Sequence, residues 1–277
     1  MQTETKTKKI RLGWLPILIG TAIALTALVA LGFLLRQSLT RDQAEAPAIA
    51  ETTPEPTEIV YTLETYAAEH GYQLSDYPEP LLELYDKNPE ARQFVMEYPL
   101  YKDESPEIDL HDDYTAGEVP LLFQWDRRWG YRTYNQNFMA RTGCGPTCLS
   151  MAIIGLTGNV SCNPWALAQY AEEHNFCVPG SGTVWEFIPD CAEYFGVHAQ
   201  VLGLSESAIR AELDAGHLVI VVVGPGDFTD NGHFLLLTGV ENGLIRIHDP
   251  YSPRNSELLW TYERLASQIK GLWTLYT

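Results

Sequence analysis

Residues 142–151, TGCGPTCLSM, set two thiols, Cys144 and Cys148, four positions apart among Gly143, Gly145 and Pro146. A cysteine can be a nucleophile, a metal ligand, half of a disulfide or a small hydrophobe, and its ionisation largely decides which. Thr142 or Gly143 is placed to cap a helix, and Pro146 suits the first turn, where its missing N–H costs nothing. A helix starting there leaves Cys144 at the positive end of the peptide dipoles, which favours the thiolate. Cys148 falls one turn later beside Leu149, Met151 and Ala152 and reads as packed core.

A thiolate nucleophile requires a general base and a group that orients the base. NGHFLLLTG opens an apolar run on His233, and LIRIHDP ends the next run at Asp249. The intervening ENG is a turn signal between antiparallel strands, so His233 and Asp249 should meet at one end of a sheet. His248 should face away from Asp249, because strand side chains alternate. In VPLLFQWDRRWGY, Gln124 precedes Cys144 by 20 residues. Its side-chain amide, together with the Cys144 N–H, can hold an oxyanion. The chemistry expected of the four is covalent acyl transfer, with Cys144 attacking, His233 moving the proton, Asp249 orienting His233 and Gln124 steadying the developing charge.

Elements must bring these residues together. MAIIGL and the residues before it form a helix apolar on most sides, hence buried. PWALAQYAEEH and SESAIRAELDAG are surface helices, the second capped by Ser205 or Ser207 and stopped by Gly216. Strand-type runs follow at 217–223, 233–240, 244–249 and 271–277, separated by turns such as GPGD. The expected fold class is α+β, with N-terminal helices and a central buried helix packed on an antiparallel sheet.

The rest of the 277-residue chain is differently composed. Residues 13–35, GWLPILIGTAIALTALVALGFLL, carry no charge and are long enough to span a bilayer as a helix. Lys6, Lys8, Lys9 and Arg11 precede them against Glu4 alone, which puts residues 1–12 in the cytoplasm and the remainder outside. A cleaved signal peptide would have a shorter apolar stretch. Residues 36–59 read as an acidic, Pro- and Thr-rich linker. Residues 60–118 form a helical N-terminal extension with boundaries at Pro80 and Pro89, and 119–277 form the catalytic domain. The net charge of −18 is concentrated between membrane and domain, since residues 42–118 hold 20 acids against three bases. That distribution suits a solvated spacer, and nucleic acid is not an expected partner because binding it needs a basic footprint.

The five cysteines show no Cys-x2-Cys spacing, so zinc is not expected and no cofactor is implied. Reduced or buried thiols are favoured for Cys148, Cys162, Cys177 and Cys191 over two disulfides. Trp125, Trp129, Trp165 and Trp185 are expected in the core, with a substrate cleft as the alternative for Trp185.

In order, QWD..WGY, GCGPTCLSM, P..A..Y, G-GT-W, PG-FT-GHF and DP resemble the cysteine peptidases related to bacteriocin-leader (double-glycine) processing enzymes. These form the C-thirty-nine-like branch of the papain-like clan, and the likeness runs over roughly residues 119–277. YPEPLLELYDKNPEARQFV resembles an N-terminal segment of stand-alone bacterial members. The resemblance implies a papain-like fold, with Cys144, His233, Asp249 and Gln124 at the family's functional positions. Because no ATP-binding motif is present, a leader-peptide substrate does not follow. The expectation is a membrane-tethered, extracytoplasmic peptidase acting on peptide or protein. A cell-wall amidase or acyl transferase with the same machinery, or a non-catalytic binding module, are the other readings.

Overall fold

The computed structural model describes residues 61–179 and 182–277. The expected anchor at 13–35 and linker at 36–59 lie outside the described residues. Among the described residues no helix is long and apolar enough to cross a membrane.

Four short helices come first: α1 (Leu63–Glu69), α2 (Glu79–Lys87), α3 (Arg92–Met96) and α4 (Tyr98–Tyr101). Prolines punctuate them. Pro80 lies in the first turn of α2, and Pro89 opens a single 3-10 turn capped by Asn88. Too short to be stable alone, these helices bury Leu63, Tyr66, Leu81, Leu84, Phe94 and Val95 in a common core. Tyr131 and Ala140 belong to that core too, and the Phe94 and Tyr131 rings stack with centroids 4.2 Å apart.

The hairpin β1 (Thr133–Tyr134) and β2 (Asn137–Phe138) leads into α5 (Met139–Thr142) and α6 (Cys144–Thr157). Next come α7 (Pro164–Glu173), the two-residue strands β3 (Cys177–Val178) and β4 (Gly182–Thr183), α8 (Phe187–Tyr194), β5 (His198–Val201) and α9 (Glu206–Asp214). The chain finishes with β6 (Leu218–Val223), β7 (His233–Glu241), β8 (Leu244–His248), α10 (Pro253–Glu257), β9 (Leu259–Trp260), α11 (Tyr262–Ala266) and β10 (Ile269–Tyr276).

Six strands form one antiparallel sheet in the order β5-β10-β6-β7-β8-β9. Its central strand β6, LVIVVV, is buried at every position. A strand covered on both faces has no reason to alternate with polar residues. Leu218, Ile220 and Val222 join α6, α7 and α8 on one face, while Val219, Val221 and Val223 join Ile209, Leu213 and Leu265 of α9 and α11 on the other. The run expected at 271–277 starts at Ile269. Its strand β10 inserts between β5 and β6 instead of following β8 across the sheet.

Candidate active site

Helix α6 carries the thiol. Residues 145–154 are buried without interruption, so the helix is fixed in the core on every side. Leu149 is fully buried beneath its first turn, and truncating it to Ala would cost about 2–5 kcal/mol. The helix starts on Cys144 with Gly143 at the cap, and no side chain caps it; the Thr142 hydroxyl is turned back to the carbonyls of Tyr134 and Phe138. Gly143 also ends α5. A Cβ there would lie 2.5 Å from Met139 Sδ and 2.6 Å from Met139 O, so only glycine lets the two helices join this closely.

Strands β7 and β8 carry the other two groups. The turn between them places Asn242 and Gly243 at positive φ, 51° and 79°, as a type I′ hairpin requires. Leu236 then pairs with His248, which puts Asp249 just past the end of β8 and His233 on the first residue of β7. His233 Nε2 and Asp249 Oδ1 are 2.8 Å apart, with the two residues 7% and 1% exposed. Nδ1 is therefore the nitrogen left to face the Cys144 thiol, which lies close enough for the imidazole to act on its ionisation. Asp249 is held from both sides. Tyr251 N–H donates to Oδ1 at 2.8 Å and Asn255 Nδ2 donates to Oδ2 at 2.8 Å.

The electrostatics follow from this packing. Burial opposes the thiolate, but the hydrogen bond and charge of His233, joined by backbone hydrogen bonds from Phe234 and Gly145, hold Cys144 below its ordinary 9.0. Burial likewise opposes the imidazolium, and Asp249 more than offsets it, so His233 titrates well above its ordinary 6.5. The two shifts together favour a thiolate–imidazolium pair. Cys148, one turn below, is pushed well up by burial and stays a thiol. His248 is turned the other way, with Nδ1 3.2 Å from Pro120 O, and burial lowers its pKa to about 4.

Gln124 is 2% exposed and lines the cleft that contains Cys144 and His233. Its backbone N–H donates to Pro250 O and its Nε2 donates to Ala140 O, both at 2.8 Å. One N–H of the side-chain amide is thus spent on the protein and one is left. The Oε1 atom has no hydrogen-bond partner among the described residues.

Two clefts meet at Cys144. One, of about 530 Å³, runs between the Asn88–Glu90 turn and the loop 226–232. The other, of about 740 Å³, runs over Asn135, Gln136, Thr183, Trp185 and Phe234. Trp185 thus corrects the expectation of a core residue. It is 43% exposed, edge-on to Trp273, and lines the second cleft. All five cysteines are unpaired, with Cys148, Cys162 and Cys191 buried.

Asn255 and Tyr251, which hold Asp249, were not singled out by residue type. The available signal was S-P-R-N after DP, where Ser252 caps a proline-started turn and directs Asn255 back toward Asp249. For Trp185, in GSGTVWEF, the alternative position named from the sequence, a cleft wall, is the one the structure shows.

An α+β fold with an antiparallel sheet of this kind is consistent with the papain-like fold of the C39 peptidases. The chain belongs to the Peptidase_C39 like family, whose model matches residues 117–277. No curated protein matches the chain. Among solved structures it is similar to the peptidase domain of Streptococcus ComA, a bi-functional ABC transporter involved in quorum sensing. That match has 21% identity and a TM-score of 0.38 and covers 49% of this chain and 91% of the other. A protein of Bacillus anthracis assigned as a C39-like peptidase matches at 15% identity and TM-score 0.41, over 58% and 96% of the two chains. A double glycine motif protease from an AMS/PCAT transporter, in complex with the leader peptide, matches at 12% identity and TM-score 0.27, over 48% and 86%.

Proposed function

We propose that the chain is a cysteine peptidase that hydrolyses peptide bonds through Cys144, His233 and Asp249. The observation that carries this reading is His233 standing between the Cys144 thiol and the Asp249 carboxylate, at the junction of two clefts. An extended peptide can run through both clefts with one carbonyl over the sulfur.

Cys144 thiolate attacks that carbonyl carbon, forming a C–S bond and an oxyanion. The Cys144 N–H, which as a first-turn amide has no intrahelical acceptor, and the spare N–H of Gln124 are the donors for the oxyanion. Collapse breaks the C–N bond as His233 gives its Nδ1 proton to the leaving amine. Water, deprotonated by His233, then attacks the thioester and releases the acid and the Cys144 thiolate. Asp249 keeps Nε2 protonated and steadies the imidazolium throughout.

The uncharged residues 13–35 and the bases before them support tethering to the cytoplasmic membrane with the catalytic domain outside it. A peptide library tests the enzyme reading. Wild type should cleave a subset of peptides and Cys144→Ala none, and cleavage by Cys144→Ala would refute covalent catalysis. Protease added to intact cells should remove the catalytic domain; full protection would refute the exterior location.

A further inference from the structure

The turn between α2 and α3 lies outside the residues matched to the family, yet it reaches the loop that carries Asp249. Asn88 is 3% exposed; its Oδ1 accepts the Glu90 N–H at 3.0 Å and its Nδ2 donates to Tyr251 O at 2.9 Å. The Glu90 carboxylate accepts twice from the same loop, from the Arg254 N–H at 2.8 Å and from the Ser252 hydroxyl. Ser252 Oγ in turn accepts the Asn255 N–H at 3.2 Å, and the Asn255 amide donates to Asp249 Oδ2 at 2.8 Å. A continuous row of hydrogen bonds thus runs from Glu90 through Ser252 and Asn255 to Asp249 and His233.

We propose that Glu90 is a positioning residue of this site: through Ser252 and Asn255 it fixes the Asp249 carboxylate against His233, so the helical extension supplies part of the catalytic geometry. This rests on the cysteine-peptidase reading. The physical reason lies in how Asp249 is held. Oδ1 is shared between His233 and Tyr251 N–H, whereas Asn255 alone anchors Oδ2 among the described residues. Loosening α10 at its cap frees the carboxylate to rotate away from the imidazole. A carboxylate in Glu90's place is suited to the task, because charge-assisted hydrogen bonds to the hydroxyl and the amide are stronger than neutral ones. Glu90 lies 162 residues from Ser252 along the chain and outside the residues matched to the family.

The experiment uses the full chain, with kcat and KM on a cleaved peptide and the rate of Cys144 alkylation by iodoacetamide. Glu90→Ala should lower kcat about tenfold with little change in KM, as small misplacements of a reacting group do, and should slow alkylation of Cys144. Glu90→Gln, which keeps an acceptor oxygen, should recover most of the loss, which general destabilisation would not predict. Ser252→Ala cuts the same row at its next link, so the double variant with Glu90→Ala should be no worse than either single one. An unchanged kcat in Glu90→Ala overturns the proposal, as does a rise in KM alone, which would make Glu90 a wall of the substrate cleft. If Glu90→Ala does not fold, an unchanged kcat in Ser252→Ala overturns it equally. Wild type that neither cleaves nor alkylates at Cys144 fails the peptidase reading, and this proposal with it. Active wild type with an unimpaired Glu90→Ala fails the positioning role alone.

Discussion

His233 Nε2 lies 2.8 Å from Asp249 Oδ1 although 16 residues separate the two along the chain. The hairpin accounts for this closeness. Antiparallel pairing stops at His248, the loop beyond it folds back, and Tyr251 N–H closes the bend onto Asp249 Oδ1. The sheet end that carries His233 is the same one from which α6 presents Cys144.

The pH profile of hydrolysis should follow from this pair. Cys144 is held below 9.0 and His233 above 6.5, so the rate should rise on an acid limb as the thiolate forms and fall on an alkaline limb as His233 loses its proton. Asp249→Asn removes the charge that raises His233. Its alkaline limb should move down toward 6.5, and kcat should fall on the order of 10⁴-fold. A variant whose alkaline limb stays in place would show that another group holds the imidazolium.

The two thiols of α6 should react very differently. Burial keeps Cys148 protonated, while Cys144 has His233 beside it. Limited iodoacetamide at neutral pH, followed by peptide mass mapping, should therefore label Cys144 well ahead of Cys148. Preferential labelling of Cys148 would reverse the assignment of the nucleophile.

Gln124→Ala should lower kcat on the order of 10²-fold, the usual effect of losing one oxyanion donor. KM should change little, because the donor acts on charge that develops only in the transition state. A KM effect without a kcat effect would make Gln124 a ground-state contact.

His248 makes stability depend on pH. It is kept neutral in the folded chain by burial, with a pKa of about 4 against an ordinary 6.5. Between those values the unfolded chain binds the extra proton, so stability is lost as pH falls from 6.5 and the loss is complete below about 4. A shift of that size corresponds to about 3 kcal/mol. Urea unfolding across this range should show a shallower pH slope for His248→Leu than for wild type. Parallel slopes would mean that His248 does not carry the loss.

The start of α6 was legible because Gly143, Pro146 and the apolar run agree on one helix boundary. The β7–β8 hairpin was legible because ENG and two apolar runs fix strand, turn and partner within 17 residues. Strand β10 was visible as a strand, but its place beside β6 was not, since pairing of a chain end depends on which edge the other strands leave open. The contacts of Glu90 with Ser252 and Arg254 lay further out of reach. They join segments more than 160 residues apart, and no local pattern marks a lone carboxylate for such a partner.

Gly143 couples the fold to the Cys144 thiol and can be tested for both. An added Cβ meets the Met139 sulfur at 2.5 Å and the Met139 carbonyl oxygen at 2.6 Å. The sulfur lies near the end of a flexible side chain and can move, whereas the carbonyl is fixed by α5. Gly143→Ala must therefore open the α5–α6 junction and shift Cys144 with it. Overpacking of this kind costs about 1–3 kcal/mol, readable as a lower urea midpoint. Alkylation of Cys144 should slow in the folded variant, because the sulfur moves relative to His233. Adding Met139→Ala should not restore the rate, since the backbone contact remains. Full recovery in that double variant would instead locate the constraint in the methionine side chain.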